Sequence, residues 1–205
     1  MLDPTQILND ASAFSALIII GLIIFAEAGL LIGVLLPGDT LLIPAGLLAA
    51  EGKLSLAGIL VVAWIGSVLG SETGYYIGKK AGKRIFRRRN SLLFRQEYLA
   101  KAHKFYSKHG GKTILIARFL PFIRTCAPLV AGATKMDHHT FMIFNILGGG
   151  VWVAVTVLVS FWLGKAIPNV GDYILPITAI ILICALTPAL YKLLRSQKRT
   201  SKRRK

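Results

Sequence analysis

The sequence predicts an all-α, polytopic membrane protein, and three observations support that prediction. The chain of 205 residues is 54% hydrophobic and has a mean hydropathy of +0.61, well above what is typical of a soluble domain. Its apolar residues form several runs of about 20 residues, the length that a helix needs to cross a bilayer. Its basic residues lie between those runs, which is typical of membrane proteins.

The positive charge is concentrated in two segments. Of the 25 Lys and Arg residues, 12 fall within residues 79–112 and eight within residues 192–205. Because Lys and Arg near membrane ends mark the inner side, we expect a basic cytoplasmic loop at 79–112 and a basic, disordered cytoplasmic tail at 195–205. This topology accounts for the net charge of +16, so we expect no nucleic-acid partner.

The apolar runs predict about three to four full spans within a single transmembrane domain at residues 13–194. Full spans are expected at about 54–78, 139–163 and 173–194, whereas the sequence does not decide whether residues 13–36 cross fully. Residues 1–12 form a separate N-terminal segment. Residues 92–108 place apolar side chains among charges, which predicts an amphipathic cytoplasmic helix at the membrane surface.

Two further segments are interrupted in ways that a simple span does not tolerate. Residues 27–50 contain Pro37-Gly38-Asp39 and then a helix about half long enough to cross. Residues 113–134 contain two arginines and two prolines. Irregular backbone at membrane depth requires protein or water around it. Both segments are therefore predicted to be re-entrant helical hairpins.

The charge pattern orients the two hairpins oppositely. With the loop at 79–112 and the tail both cytoplasmic, the spans at 139–163 and 173–194 supply the two crossings between them. The hairpin at 113–134 then opens to the cytoplasm and the hairpin at 27–50 opens outward. This arrangement is typical of an inverted repeat, with weak support from the similarity of LPGDT at 36–40 to LPFIRT at 120–125.

Four charged residues in these apolar segments are the candidate functional site: Glu27, Asp39, Arg118 and Arg124. Each charge costs about 2.5–3.5 kcal/mol at mid-bilayer on insertion scales, so all four unpaired would cost on the order of 10 kcal/mol. Such charges are retained when they meet each other, a water-filled cavity or a charged substrate. Opposed hairpins would bring these acids and bases together near the midplane.

The residue types suit phosphate and proton chemistry. A guanidinium stays charged and presents planar donors that match phosphate oxygens, and a half-helix beginning after Pro37 or Pro121 would add backbone N–H groups. Burial raises the pKa of a carboxyl and an arginine lowers it, so a carboxylate with a movable partner can titrate when a ligand arrives. The alternatives are static ion pairs and, for Asp39, a helix cap.

Other candidate groups add no further site. The four histidines fall in predicted cytoplasmic stretches and are expected to be surface residues, and the two cysteines are expected to be inert buried thiols. No intramembrane histidine or Ser–His–Asp arrangement is visible in the sequence, so we expect no enzyme activity, no metal site and no cofactor. The groups concerned are His103, His109, His138, His139, Cys126 and Cys184.

Several motifs in consistent order over residues 14–165 resemble those of the DedA family, also called SNARE-associated or VTT-domain proteins. They are FAEAG at 25–29, LPGD at 36–39, GSETGYYIGKKAG at 70–82, ARFLPFIRT at 117–125, AGA at 131–133 and GGGVW at 148–152. One departure stands out, because the family commonly has Gly-Asp where this chain has Gly70-Ser71. Either the acidic role at that third position is absent from this chain, or it shifts by one residue to Glu72.

The resemblance implies a bacterial inner-membrane transporter, multi-pass, with two facing re-entrant hairpins. It implies that Glu27 and Asp39 couple protons and that Arg118 and Arg124 resemble essential family arginines. Family members have been assigned to moving undecaprenyl phosphate between leaflets, and others to scrambling or moving phospholipids. Residues 94–113 resemble the undecaprenyl-phosphate branch. Supporting positions are Glu72, Pro37, Gly38 and Pro121.

The resulting expectation is a flippase for undecaprenyl phosphate or a related lipid phosphate, with the C-terminus in the cytoplasm. Arginines would bind the phosphate and carboxylates would handle protons. The expected partners are the lipid phosphate, the membrane and protons, and association into a homo-oligomer is left open. Two alternatives are a phospholipid scramblase or transporter and a proton-coupled exporter of small ions or cations.

Overall fold

A computed structural model describes residues 4–29, 38–85 and 111–167 of the chain. These residues form six helices and, within those ranges, no strand: α1 (Pro4–Gly29), α2 (Gly38–Ala50), α3 (Leu56–Ile85), α4 (Lys112–Ala117), α5 (Pro121–Ala133) and α6 (His138–Ala166). Within the same described ranges, three segments are long and apolar enough to cross a membrane, namely Ser12–Gly29, Leu56–Ala81 and His138–Ala166. The prediction of a helical protein with membrane-spanning segments is confirmed at this level.

The predicted spans at 54–78 and 139–163 correspond to α3 and α6. Helix α1 begins at Pro4, so the N-terminal segment predicted at 1–12 is helical from that residue onward. The predicted span at 173–194, the amphipathic helix at 92–108 and the tail at 195–205 lie outside the described residues.

Both predicted hairpin segments contain short helices. Helix α2 has 13 residues, too few to cross a bilayer, and it lies against α6. In the second segment, α4 ends at Ala117, the chain turns, and α5 begins at Pro121 after an extended Leu120. Proline suits this position because the first turn of a helix does not use its backbone N–H groups internally. The interruption is present, whereas re-entry into a membrane and the inverted repeat remain predictions.

Glycines allow the helices to pack backbone against backbone around α3. A Cβ added at Gly66 or Gly70 of α3 would lie 2.6 or 2.4 Å from a backbone oxygen of α1. On another face of α3, a Cβ at Gly78 would lie 2.0 Å from the carbonyl oxygen of Leu129 in α5. Small residues permit such close approach between membrane helices. Helix α3 therefore holds α1 and α5 at fixed distances, and both of these helices carry charged residues of the candidate site.

Asp137 caps the first turn of α6. Its Oδ2 accepts hydrogen bonds from the backbone nitrogen and from Oγ1 of Thr140, both at 2.8 Å. These bonds favour the ionised carboxylate, and they lower the pKa of Asp137 below its ordinary value.

We expect this cap to make the stability of the protein depend on pH. Because the folded pKa of Asp137 is depressed, the contribution of the cap is complete above the unfolded pKa and is lost as the pH falls through the folded pKa. Asp137→Asn keeps a capping side chain that does not titrate in this range. In thermal unfolding of the purified protein, acidification should therefore lower the melting temperature of the wild type relative to Asp137→Asn. A difference that stays constant from neutral to acidic pH would contradict this assignment.

Candidate functional site

A pocket lined by α1, α3, α4, α5 and α6 contains three of the four charged residues that the sequence predicts as a site. It encloses about 440 Å³ of empty space, including its open mouth. Glu27 and Arg118 are only 5% and 8% exposed, and the side chain of Arg124 is 11% exposed. The remaining lining is apolar or neutral: Ile24, Ala28, Ser67, Ser71, Ile114, Thr125, Ala127, Pro128, Asn145 and Trp152.

Arg124 connects α5 to α1. Its Nη2 forms an ion pair with Oε1 of Glu27, and its guanidinium lies over the ring of Trp152, 4.5 Å from the centroid. A cation at this distance from an indole face is attracted by the ring. The ion pair depends on the charge of Glu27 and is lost if that carboxylate is protonated, whereas the contact with the ring of Trp152 involves no group that titrates.

Arg118, at the end of α4, is held by neutral groups. Its Nη1 donates to Oγ of Ser67 at 3.0 Å, and its Nη2 donates to Oγ of Ser71 at 3.1 Å and to Oδ1 of Asn145. The amide of Asn145 is itself oriented, since its Nδ2 donates to the carbonyl oxygen of Val68 at 3.1 Å. No carboxylate among the described side chains lies against Arg118.

Two glycines of α6 make room for Arg118. A Cβ at Gly148 would lie 3.1 Å from Cδ of Arg118, and a Cβ at Gly149 would lie 2.9 Å from Oγ of Ser67 and 3.3 Å from Nη1 of Arg118. A methyl group at either position would press on the arginine or on its hydrogen-bond partner. These glycines therefore belong to the site as well as to the packing of α6.

The other predicted site residues are placed as follows. Gly38 and Asp39 begin α2, but the side chain of Asp39 lies outside the described residues, as does Pro37 altogether. Pro121 begins α5, the helix that carries Arg124. That Asp39 faces the arginines therefore stays a prediction.

Glu72 does not line the pocket. Its Oε1 forms a hydrogen bond with Nε2 of His138 at the start of α6. Beside this pair, Tyr75 stacks on Phe141 with centroids 4.7 Å apart and donates its hydroxyl to the carbonyl oxygen of Met136 at 2.6 Å. His138, expected from the sequence to be a surface residue, is partly exposed and joins α6 to α3. It is Ser71 rather than Glu72 that reaches Arg118.

Sequence analysis did not identify Ser67, Ser71 and Asn145 as site residues. One available signal was Asn145, an amide inside the apolar span at 139–163, where a polar side chain needs a partner. Another was Ser71, which stands where the resembling family commonly has an aspartate, whereas Ser67 gave no signal beyond its small size.

Comparison with known proteins decides the family. The VTT domain family matches residues 36–162, more than half of the chain. The chain belongs to the VTT-domain, or DedA, family. Both pocket arginines lie within the matched residues, and Glu27 precedes them.

Individual relatives agree with this assignment. Protein DedA of Escherichia coli K12 is 37% identical over 182 residues, which cover 88% of this chain and 83% of that protein. An uncharacterized membrane protein of Mycobacterium leprae is 38% identical over 206 residues, covering 98% and 92%. Inner membrane protein YqjA of Escherichia coli K12 is 32% identical over 143 residues, covering 70% and 65%. No solved structure matches the chain.

The resemblance found in the motifs is thus confirmed. DedA-family proteins are membrane proteins that are generally held to be transporters or flippases, and they are not known as enzymes. The three candidate spans found in the described part of the chain agree with membrane placement, as do the relatives' names, which call them membrane or inner membrane proteins.

Proposed function

We propose that this DedA-family protein is a proton-coupled flippase that moves undecaprenyl phosphate or a related lipid phosphate between the leaflets of the bacterial inner membrane. The observation that supports it is the placement of Arg118, Arg124 and Glu27 around one buried pocket. The proposed orientation has the C-terminus in the cytoplasm, as the distribution of basic residues predicts.

Charge favours an anionic substrate. Two arginines and one glutamate give the described side chains of the pocket a net charge of +1 when Glu27 is ionised. Guanidinium groups bind phosphate oxygens through strong, charge-assisted hydrogen bonds. A net positive lining disfavours the exporter of cations that the sequence left open, because a cation would be repelled there.

The surroundings of the pocket suit a lipid. The turn between α4 and α5 exposes the large apolar side chains of Phe119 and Leu120, and the first turn of α5 exposes that of Ile123. These residues neighbour the two arginines in the chain. In a membrane they would contact hydrocarbon, so an apolar tail can remain in lipid beside a phosphate head group held in the pocket.

The ion pair between Glu27 and Arg124 offers a route to proton coupling. A phosphate that binds Arg124 competes with Glu27 for the same donors. Glu27, once separated from Arg124, would take up a proton in place of that pairing. Head-group binding and proton uptake would thus occur together, and Asp39 would supply a second titrating group. A scramblase would need the contacts to phosphate but would not need proton uptake to accompany head-group binding.

Transport by purified protein in liposomes tests the proposal. Arg118→Ala and Arg124→Ala should each lower the flipping rate of a polyprenyl phosphate at least about tenfold, since each removes a charge-assisted contact to phosphate. Asp39→Asn should reduce the stimulation by an imposed proton gradient. Undiminished transport in both arginine variants would refute the flippase assignment, and flipping indifferent to the gradient in the wild type would favour the scramblase.

A further inference from the structure

One face of α6 contacts both pocket arginines. Asn145, Gly149 and Trp152 are buried and recur at intervals of four and three residues, which places them on the same side of the helix. Asn145 accepts a hydrogen bond from Arg118. One and a half turns further along lies Trp152, and Cζ of Arg124 lies over its ring, 4.5 Å from the centroid. The contact between Trp152 and Arg124 is therefore shielded from bulk water.

The indole ring attracts Arg124 without carrying an opposite charge. The face of an aromatic ring is the negative part of its quadrupole, and its attraction for a cation is strongest where water is excluded. In the ion pair, Glu27 partly cancels the charge of Arg124, and a bound phosphate would do the same. The charge of Arg124 is least compensated between these two states, so the ring attracts it most strongly there.

We propose that Trp152 is a positioning residue that holds Arg124 in the pocket while a lipid phosphate replaces Glu27 as its partner. The ring acts on the charge of the guanidinium rather than through a particular N–H group, so the donors stay available for phosphate oxygens. A contact that stabilises the exchange more than either end state lowers the barrier between them. The inference rests on the proposed function, because it concerns the exchange of partners in the same pocket.

Fluorination of the Trp152 indole tests this inference with little change in shape. Each fluorine withdraws electron density from the ring face and weakens its attraction for a cation, while it adds almost no volume. Site-specific incorporation of tryptophans with an increasing number of ring fluorines therefore gives a graded series in an otherwise unchanged protein. The same series at Trp162 is the matched control, because this tryptophan lies on the same helix but is 68% exposed and does not line the pocket.

The readout is flipping of a polyprenyl phosphate by purified protein in liposomes of increasing polyprenyl-phosphate content, which gives the saturated rate and the half-saturating content separately. Fluorination at Trp152 should lower the saturated rate progressively, by at least about tenfold in the most fluorinated protein, as expected for a desolvated cation–π contact. The half-saturating content should change less than about threefold, because the ring acts least on the two end states. The series at Trp162 should leave both quantities unchanged.

The outcomes separate the two proposals. If the wild type flips polyprenyl phosphate and its saturated rate is indifferent to fluorination at Trp152, the positioning role is wrong while the flippase assignment stands. If fluorination changes the half-saturating content as strongly as the saturated rate, or if the Trp162 series lowers the rate equally, the ring does not act on the exchange and the inference is overturned. If the wild type flips no polyprenyl phosphate, both proposals fail.

Discussion

Replacing Glu27 with glutamine should separate lipid-phosphate transport from the proton gradient. The amide can still accept a hydrogen bond from Arg124, so the contact between α1 and α5 is retained, but it no longer titrates. We expect a proton gradient that accelerates the wild type to change flipping by Glu27→Gln less than about twofold. Head-group affinity should rise about tenfold, because a neutral amide competes more weakly for Arg124 than a carboxylate does.

Glutamine is the informative substitution at this position. Glu27→Ala would remove the carboxylate that pairs with Arg124, and breaking a buried pair in this way costs about 3–5 kcal/mol of stability. A loss of transport in that variant could then result from misfolding as well as from loss of proton coupling. Glu72→Gln provides the matched control, since it makes the same chemical change on the pair with His138, outside the pocket. Gradient stimulation that persists in Glu27→Gln, or disappears equally in Glu72→Gln, would exclude Glu27 as the coupling residue.

Substituting Gly78 with alanine should displace α5 and abolish transport. The added Cβ would lie 2.0 Å from the carbonyl oxygen of Leu129, a backbone atom that cannot rotate away. The two helices would have to separate by more than an ångström, and α5 carries Arg124. Overpacking of this kind costs typically 1–3 kcal/mol, which should appear as a lower melting temperature together with lost flipping.

Gly150→Ala is the control for this prediction. Gly150 lies inside α6, as Gly78 lies inside α3, so the intrinsic gain of up to about 1 kcal/mol from replacing a helical glycine applies to both. The nearest atom to a Cβ at Gly150 is Nε1 of Trp64 at 3.4 Å, an ordinary contact. This variant should fold and transport like the wild type. Equal melting temperatures for the two alanine variants would show that α3 and α5 do not depend on close contact.

The charged part of the site was predictable because membrane insertion makes each charge expensive. Glu27, Arg118 and Arg124 stand out in apolar sequence for that reason, and the structure brings them to one pocket. The partners of Arg118 were not predictable in the same way. Serine costs little in a membrane helix, and which face of α3 carries Ser67 and Ser71 depends on how α3 is rotated against its neighbours.

Ser71 and Glu72 show most clearly which part of the site could not be predicted from the sequence. Consecutive residues on a helix point about 100° apart, since a turn takes 3.6 residues. A shift of one position therefore moves a side chain from the pocket to the contact with His138. From the sequence, the acidic role that the family has at position 71 is either absent or shifted to Glu72. In the structure the hydroxyl of Ser71 lies beside Arg118, whereas Glu72 contacts His138 at the start of α6.

The glycine contacts of α3 also restrict the motions open to the protein. Where two backbones touch, a neighbouring helix cannot approach further, and it moves either by sliding along the contact or by lifting away from it. Sliding of packed helices keeps their interface buried, whereas lifting would leave the small residues of α3 without their partners. Because Arg124 travels with α5 and Glu27 with α1, sliding of α5 along α3 would lengthen or shorten their ion pair. Helix α3 would then guide the sliding of α5 in the proposed step in which a phosphate replaces the carboxylate of Glu27 at Arg124.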